Sequence, residues 1–205
     1  MHFLKKILKK LIAVFPIGKI IVETGQSQTP VTFKIWWKQK VLGYNKEAYW
    51  PMHFTSRVSY PERVFAGIDT SPGYMNNCYI QGYGRIYIGD YTQIAPGVGL
   101  ISSNHDVYDS RVQIPAPIHI GKYCWIGMNA VILPGVILGD YTIVAAGAVV
   151  SKSFPDGYCV IGGVPAMLIK HLDKNLCVPY HQVNPYNGYI RHDDFERFKK
   201  AKLDV

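Results

Sequence analysis

The segment Ser103-Asn104-His105-Asp106 is where this sequence most readily suggests chemistry. Imidazole side chains take up and return protons near neutral pH, so a histidine in a polar loop can act as general base toward a hydroxyl. Asn104, Asp106, Asp109 and Arg111 place further polar and charged groups around His105. Asp106 or Asp109 could orient the ring or bind acceptor hydroxyls, or could be solvated loop acids. Taken alone, His105 is as compatible with a surface residue that has no role. Its meaning depends on what holds the loop.

The elements around that loop repeat every six residues. From Ile120, aliphatic residues recur at Ile126, Ile132, Leu138, Val144 and Val150. Four residues after each stand Cys124, Ala130, Val136, Thr142, Ala148 and Phe154, which are mostly small. The same spacing holds earlier at Ile88, Ile94 and Leu100. A heptad helix cannot produce this period, and a plain amphipathic strand alternates by two. Short strands joined by tight corners do fit, with one aliphatic side chain per strand pointing inward and Gly, Asn or Asp at the bends. Three hexads make one coil: Ile120-Gly-Lys-Tyr-Cys-Trp and Leu138-Gly-Asp-Tyr-Thr-Ile are 18 residues apart. The related Ile88-Gly-Asp-Tyr-Thr-Gln precedes them by 32, so a segment placed at residues 101–117 is inserted before the repeat resumes. His105 lies within that insertion.

The rest of the chain reads as additions to the coil. Residues 1–57 are expected to form an amino-terminal amphipathic helix and an irregular cap, 58–170 the repeat domain, and 171–205 an extension with a short helix near Asp193–Lys200. In Met1–Pro16 apolar residues recur at helical spacing, with Lys5, Lys6, Lys9 and Lys10 on the other side. The helix is expected to stop near Pro16 and Gly18. It could lie on an anionic membrane surface or pack on the protein.

The net charge of +8 sits at the amino terminus, where residues 1–46 hold nine lysines and one acid, Glu23. Residues 47–205 are balanced, which argues against nucleic acid as a partner. No apolar run reaches the roughly 18 residues that span a bilayer, and a secretory leader is not expected because Lys9 and Lys10 interrupt the apolar stretch. Cys78, Cys124, Cys159 and Cys177 show no CxxC spacing and read as reduced thiols of a cytoplasmic protein.

The text from Ile88 to Ile169 resembles the hexapeptide-repeat acyltransferases, and within them the sugar and polysaccharide O-acetyltransferases. The matching segments are Ser103–Asp106, Pro117-Ile118-His119-Ile120-Gly121, Trp125-Ile126-Gly127 and Ile132-Leu133-Pro134-Gly135-Val136. Ala145-Ala146-Gly147 and Gly162-Gly163-Val164-Pro165-Ala166 complete the match. The resemblance implies a mainly β fold, a left-handed parallel β-helix, assembled as a homotrimer with active sites between subunits. It implies transfer of an acetyl group from acetyl-CoA to a saccharide hydroxyl, with His105 as general base and no metal. For the CoA site it implies Trp125 beside the reacting centre, Met128 where relatives often carry serine, and the Ala146 backbone at the pantetheine amide. Ser151 and Lys152 match a polar–basic pair near the nucleotide, and Lys170 a residue that meets CoA phosphate.

For the acceptor, Asn77, Tyr83 and Arg85 lie in coils expected to face the His105 loop from a neighbouring subunit, with Asn104 and Asp106 as further candidates. An acceptor used in surface-polysaccharide synthesis at the inner membrane face would suit the basic leading segment. Two other readings remain at this level. One is an N-acyltransferase acting on an amino-sugar nucleotide. The other is a γ-carbonic-anhydrase-like zinc enzyme, for which His105 and His119 lack a third histidine within the repeat.

Overall fold

The computed structural model describes residues 14–205. The amphipathic stretch before Val14 lies outside them. Every aliphatic residue on the six-residue beat is buried: Ile88, Ile94, Leu100, Ile120, Ile126, Ile132, Leu138, Val144 and Val150 are at most 8% exposed.

The chain lays β1 (Arg57–Ser59) in a first sheet and β2 (Val64–Ala66) in a second. β3 (Tyr79–Gln81) returns to the first, β4 (Ile86–Ile88) to the second, and β5 (Gln93–Ile94) starts a third. After β6 (Gly99–Ile101) in the first sheet comes a separate antiparallel hairpin, β7 (Ser103–His105) with β8 (Gln113–Pro115). The cycle then resumes with β9 (Ile118–Ile120), β10 (Trp125–Ile126), β11 (Val131–Ile132), β12 (Ile137–Leu138), β13 (Thr142–Val144) and β14 (Val149–Val150). All pairs within the three sheets are parallel as far as β15 (Cys159–Gly163). β16 (Ala166–His171) then folds back antiparallel on β15, so the coil ends before Lys170 rather than running through it.

The registers match the spacing of the sequence. Ile126 pairs with Val144 and Ile132 with Val150, 18 residues on, while Ile88 pairs with Ile120 across the hairpin. Each corner has its own residue chemistry. Where the third sheet turns into the first, Asn77, Gly97, Asn129 and Gly147 take φ of +59°, +72°, +59° and +70°. A Cβ on Gly97 would lie 2.0 Å from the Asn129 side-chain oxygen, so any other residue there would have to displace that amide as well as accept a positive φ. Where the second turns into the third, Tyr91, Tyr123, Tyr141 and Tyr158 take positive φ, which is uncommon for such residues. Their rings stack at centroid separations of 5.3, 4.9 and 5.0 Å, a stabilising ladder that offsets the backbone cost.

Both terminal segments pack over the first coils. α1 (Pro16–Glu23) starts at Pro16, because proline lacks only an N–H that the first helical turn would leave unpaired; the helix expected before it lies outside the described residues. Glu23 at its end accepts hydrogen bonds from the Tyr186 hydroxyl and Arg191. α2 (Phe33–Trp36), capped by the Thr32 hydroxyl, runs on as a wider turn through Val41. The helix expected near 193–200 is α3 (His192–Lys202), with Asp193 and Asp194 in its first turn and lysines in its last. Its Phe195 is buried against Tyr49 and Phe65. To reach that end, the tail runs back along the tyrosine corner: the Tyr123 hydroxyl donates to the Tyr180 carbonyl, and the Tyr91 hydroxyl accepts from the Gln182 amide. No helix among the described residues is long and apolar enough to cross a membrane.

Ile132 is fully buried between Leu100 and Val150 on neighbouring coils. Ile132→Ala is expected to cost about 2–5 kcal/mol, read as a lower urea midpoint with an unchanged slope.

Candidate active site

His105 is the last residue of β7, opposite Gln113 on β8. The hairpin leaves the corner between the first and second sheets. Its root is fixed by the Ser102 carbonyl, which accepts from the Ala116 amide at 2.9 Å, and by the Ser102 hydroxyl, which accepts from the Gly84 amide at 2.8 Å. Gly84 has to be glycine, since a Cβ would fall 2.2 Å from the Ser102 carbonyl oxygen.

The imidazole is exposed, and two contacts hold it. Nδ1 lies 2.5 Å from the Ser110 carbonyl oxygen. A carbonyl can only accept, so Nδ1 carries the hydrogen and Nε2 keeps its lone pair in the neutral ring. The Gln113 amide nitrogen lies against the same edge of the ring, 3.0 Å from Nε2 and 3.1 Å from Nδ1. Gln113 is oriented in turn by the Ser103 hydroxyl, which donates to its side-chain oxygen at 2.7 Å. The Ser103 amide donates to the Gln81 side chain at 3.0 Å, which ties the chain of contacts to the rigid coil.

The loop carboxylates do other work. Asp106 accepts from the Tyr108 and Asp109 amides at 2.8 and 3.0 Å, and those bonds hold its pKa below the usual range. Asp109 forks onto the Arg111 guanidinium at 2.9 Å, which lowers its pKa in the same direction. Neither reaches the His105 ring; Ser110 and Gln113 orient it. Sequence reasoning missed both, since Gln113 is eight residues away and only strand pairing brings it opposite. Asn104 is exposed on β7 beside His105.

The residues matched to a CoA site lie elsewhere on the chain. Gln93, Trp125, Ile143 and Val160 stand side by side on the third sheet, with Lys170 next on the returning strand. At strand spacing of about 4.8 Å, Trp125 to Lys170 is about 14 Å. Trp125 is half exposed between cavities of about 390 and 170 Å³. Met128 and Ala146 occupy adjacent rungs of the corner between the third and first sheets, where the Met128 carbonyl accepts from Gly147 at 2.8 Å. Ser151 and Lys152 are exposed after β14, and the Lys152 ammonium meets the Met167 sulfur at 3.2 Å.

The acceptor candidates divide between these two places. Asn77 is on the same corner ladder as Met128 and Ala146. Tyr83 and Arg85, expected to face the loop from a neighbouring subunit, stand within their own chain at the foot of the hairpin. The Arg85 carbonyl accepts from Ile118, and its guanidinium is paired with Asp204 at 2.8 Å. Asp204 is 119 residues away, so nothing local in the sequence marks the pair. His119 stacks on Tyr87 at 4.5 Å in the second sheet, away from His105. Among the described residues no three His, Cys, Asp or Glu side chains are grouped to hold a metal ion.

Residues 117–152 match the model of the bacterial transferase hexapeptide family, described as six repeats. A solved galactoside acetyltransferase in complex with coenzyme A is 30% identical, with a TM-score of 0.56, over 67% of this chain and 68% of that one. The chain belongs to the hexapeptide-repeat acyltransferases. Among curated relatives, the Escherichia coli K12 galactoside O-acetyltransferase is 37% identical over 92 residues, 43% of this chain and 45% of its own. Nodulation protein L of Rhizobium meliloti is 42% identical over 94 residues, 43% and 51% of the two chains. The chain thus spans about half the length of the curated relatives it matches.

Two measurements check the local chemistry. Nitrogen-15 correlation of the histidine rings is expected to show neutral His105 protonated at Nδ1; protonation at Nε2 would contradict the Ser110 contact. Burial pushes the Cys124 thiol up to about 12, and Cys78 and Cys159 are raised by the same cause. Iodoacetamide at pH 8 is therefore expected to label Cys177 first in the folded protein, as mass spectrometry of the digest would show.

Proposed function

We propose that this protein is an acetyl-CoA-dependent O-acetyltransferase that moves an acetyl group directly to a saccharide hydroxyl. The observation that carries the reading is the fixed tautomer of His105, whose Nδ1 is engaged with the Ser110 carbonyl while Nε2 is left able to accept a proton. The acceptor hydroxyl would displace the Gln113 amide at Nε2, and its oxygen would attack the thioester carbonyl as its proton passes to the ring. The tetrahedral oxyanion then collapses, the carbon–sulfur bond breaks, and the leaving thiolate takes the proton back from Nε2. No covalent acyl-enzyme is needed. Cys124 faces the core as a neutral thiol and is no nucleophile.

The hairpin leaves one corner of the coil, while Trp125, Met128, Ala146 and Lys170 occupy another face and corner. We take the coil to wind left-handed and three copies to associate, so that His105 of one subunit meets acetyl-CoA laid along these residues of the next. Ser151 and Lys152 would then stand toward the nucleotide end. Asn77, Asn104 and Asp106 are the acceptor contacts this arrangement favours, and Arg85 the least favoured, because Asp204 already occupies it. The saccharide class is supported by the relatives named galactoside acetyltransferases. A surface-polysaccharide precursor, met in the cytoplasm at the inner membrane face with residues 1–16 against the lipid, is the form of acceptor we favour.

The test is release of CoA from acetyl-CoA with saccharide acceptors. His105→Ala is expected to lower kcat by about 10²–10⁴ while calorimetry shows CoA binding retained. An unchanged rate would remove the histidine from the mechanism, and turnover with amine acceptors alone would replace O-transfer by N-transfer.

A further inference from the structure

The turn that follows α2 carries a feature the acyl-transfer chemistry does not use. Lys34, Lys38 and His53 rim a cavity of about 220 Å³ whose floor is Ile35, Met52 and Phe54. The Lys38 ammonium lies 3.4 Å from the centre of the Phe54 ring. Neither lysine is ion-paired among the described residues, and residues 24–46 contain four lysines and no acid. The pKa of His53 is lowered, first by burial and then by the charges of Lys38 and Lys34, as expected where positive groups converge without an anion. The other two lysines of the stretch are committed elsewhere. Lys40 donates to the Lys46 and Ala48 carbonyls, and Lys46 faces Glu47 at 3.9 Å.

Around this cationic cavity the surface is apolar and open. Phe33, Trp37, Val41, Leu42 and Tyr44 are all more than 40% exposed. Phe33 packs on Trp36 and Trp37 at 5.8 Å, and Tyr44 meets Phe54 at 5.9 Å, so the aromatic cluster borders the cavity. A free inorganic anion would have no use for such a rim. A bilayer surface supplies both partners, with phosphate headgroups for the lysines and an interfacial layer in which Trp and Tyr rings are favourably placed. Glu23, the one acid of the first 46 residues, is held by Tyr186 and Arg191 and does not oppose that contact.

We propose that Lys34, Lys38 and His53 receive the phosphate of an anionic phospholipid while Phe33, Trp37 and Tyr44 enter the interfacial layer around it. The site shares no residue with the His105 hairpin or the Trp125 face, so it stands or falls independently of the acyl-transfer reading. It shares no residue with the basic stretch 1–16.

The experiment is co-sedimentation of the full chain with vesicles of phosphatidylcholine alone and of phosphatidylcholine mixed with phosphatidylglycerol. Binding to the mixed vesicles and not to the neutral ones is expected. Lys34→Glu with Lys38→Glu should weaken it by roughly thirtyfold or more, and Trp37→Ala should weaken it severalfold. Circular dichroism and thermal unfolding confirm that each variant is folded, and Lys34→Gln with Lys38→Gln serves if the charge reversal is not. Retained binding in the folded lysine variant would overturn the proposal, leaving residues 1–16 as the whole contact. So would calorimetric binding of inorganic phosphate that the lysine variant loses, with no binding of the full chain to the mixed vesicles, since the cavity would then be a free-phosphate site.

Discussion

The structure depends on one constraint: an inward aliphatic side chain in this coil is covered only by its counterparts one coil above and below. Ile126 has Ile94 and Val144 as its paired neighbours, and without either its burial would be incomplete. Stability is therefore a property of the stack and not of any single turn. Through β14 the strands are only two or three residues long, and the hydrophobic contacts along the axis hold them in register. That rigidity is what lets a sixteen-odd-residue excursion carry a histidine at a defined place.

The same logic explains why the hairpin can hold its ring without help from the loop acids. Ser102, Gly84 and Gln81 belong to the coil or its corner, and they hand position outward through Ser103 and Gln113 to the imidazole. Asp106 spends one oxygen, and Asp109 both, on closing the loop tip. The division is sensible physically: a carboxylate that already accepts two amides has less to offer a distant ring, while an amide anchored to a strand partner moves with the strand.

Much of this was legible in the residues because the decisive pattern is local. The beat of Ile88, Ile94 and Leu100, its return at Ile120, and the acids and lysines flanking 193–200 each need only neighbours a few positions apart. What was hidden required long-range partners. Arg85 looks like a loose surface cation until Asp204 arrives from the far end of the chain, and Gln113 is unremarkable until β7 and β8 pair.

The tail that runs back along Tyr123 and Tyr91 to place Phe195 over the first coils has a consequence for how this molecule can change size. It works as a strap cut to one length. Duplicating an 18-residue coil would satisfy every core contact, yet would lift the far end of the prism by about 4.8 Å and pull the strap short of its anchor. Growth of the solenoid is thus coupled to growth of a segment that has no repeat in it, and the height of this coil is gauged by its tail.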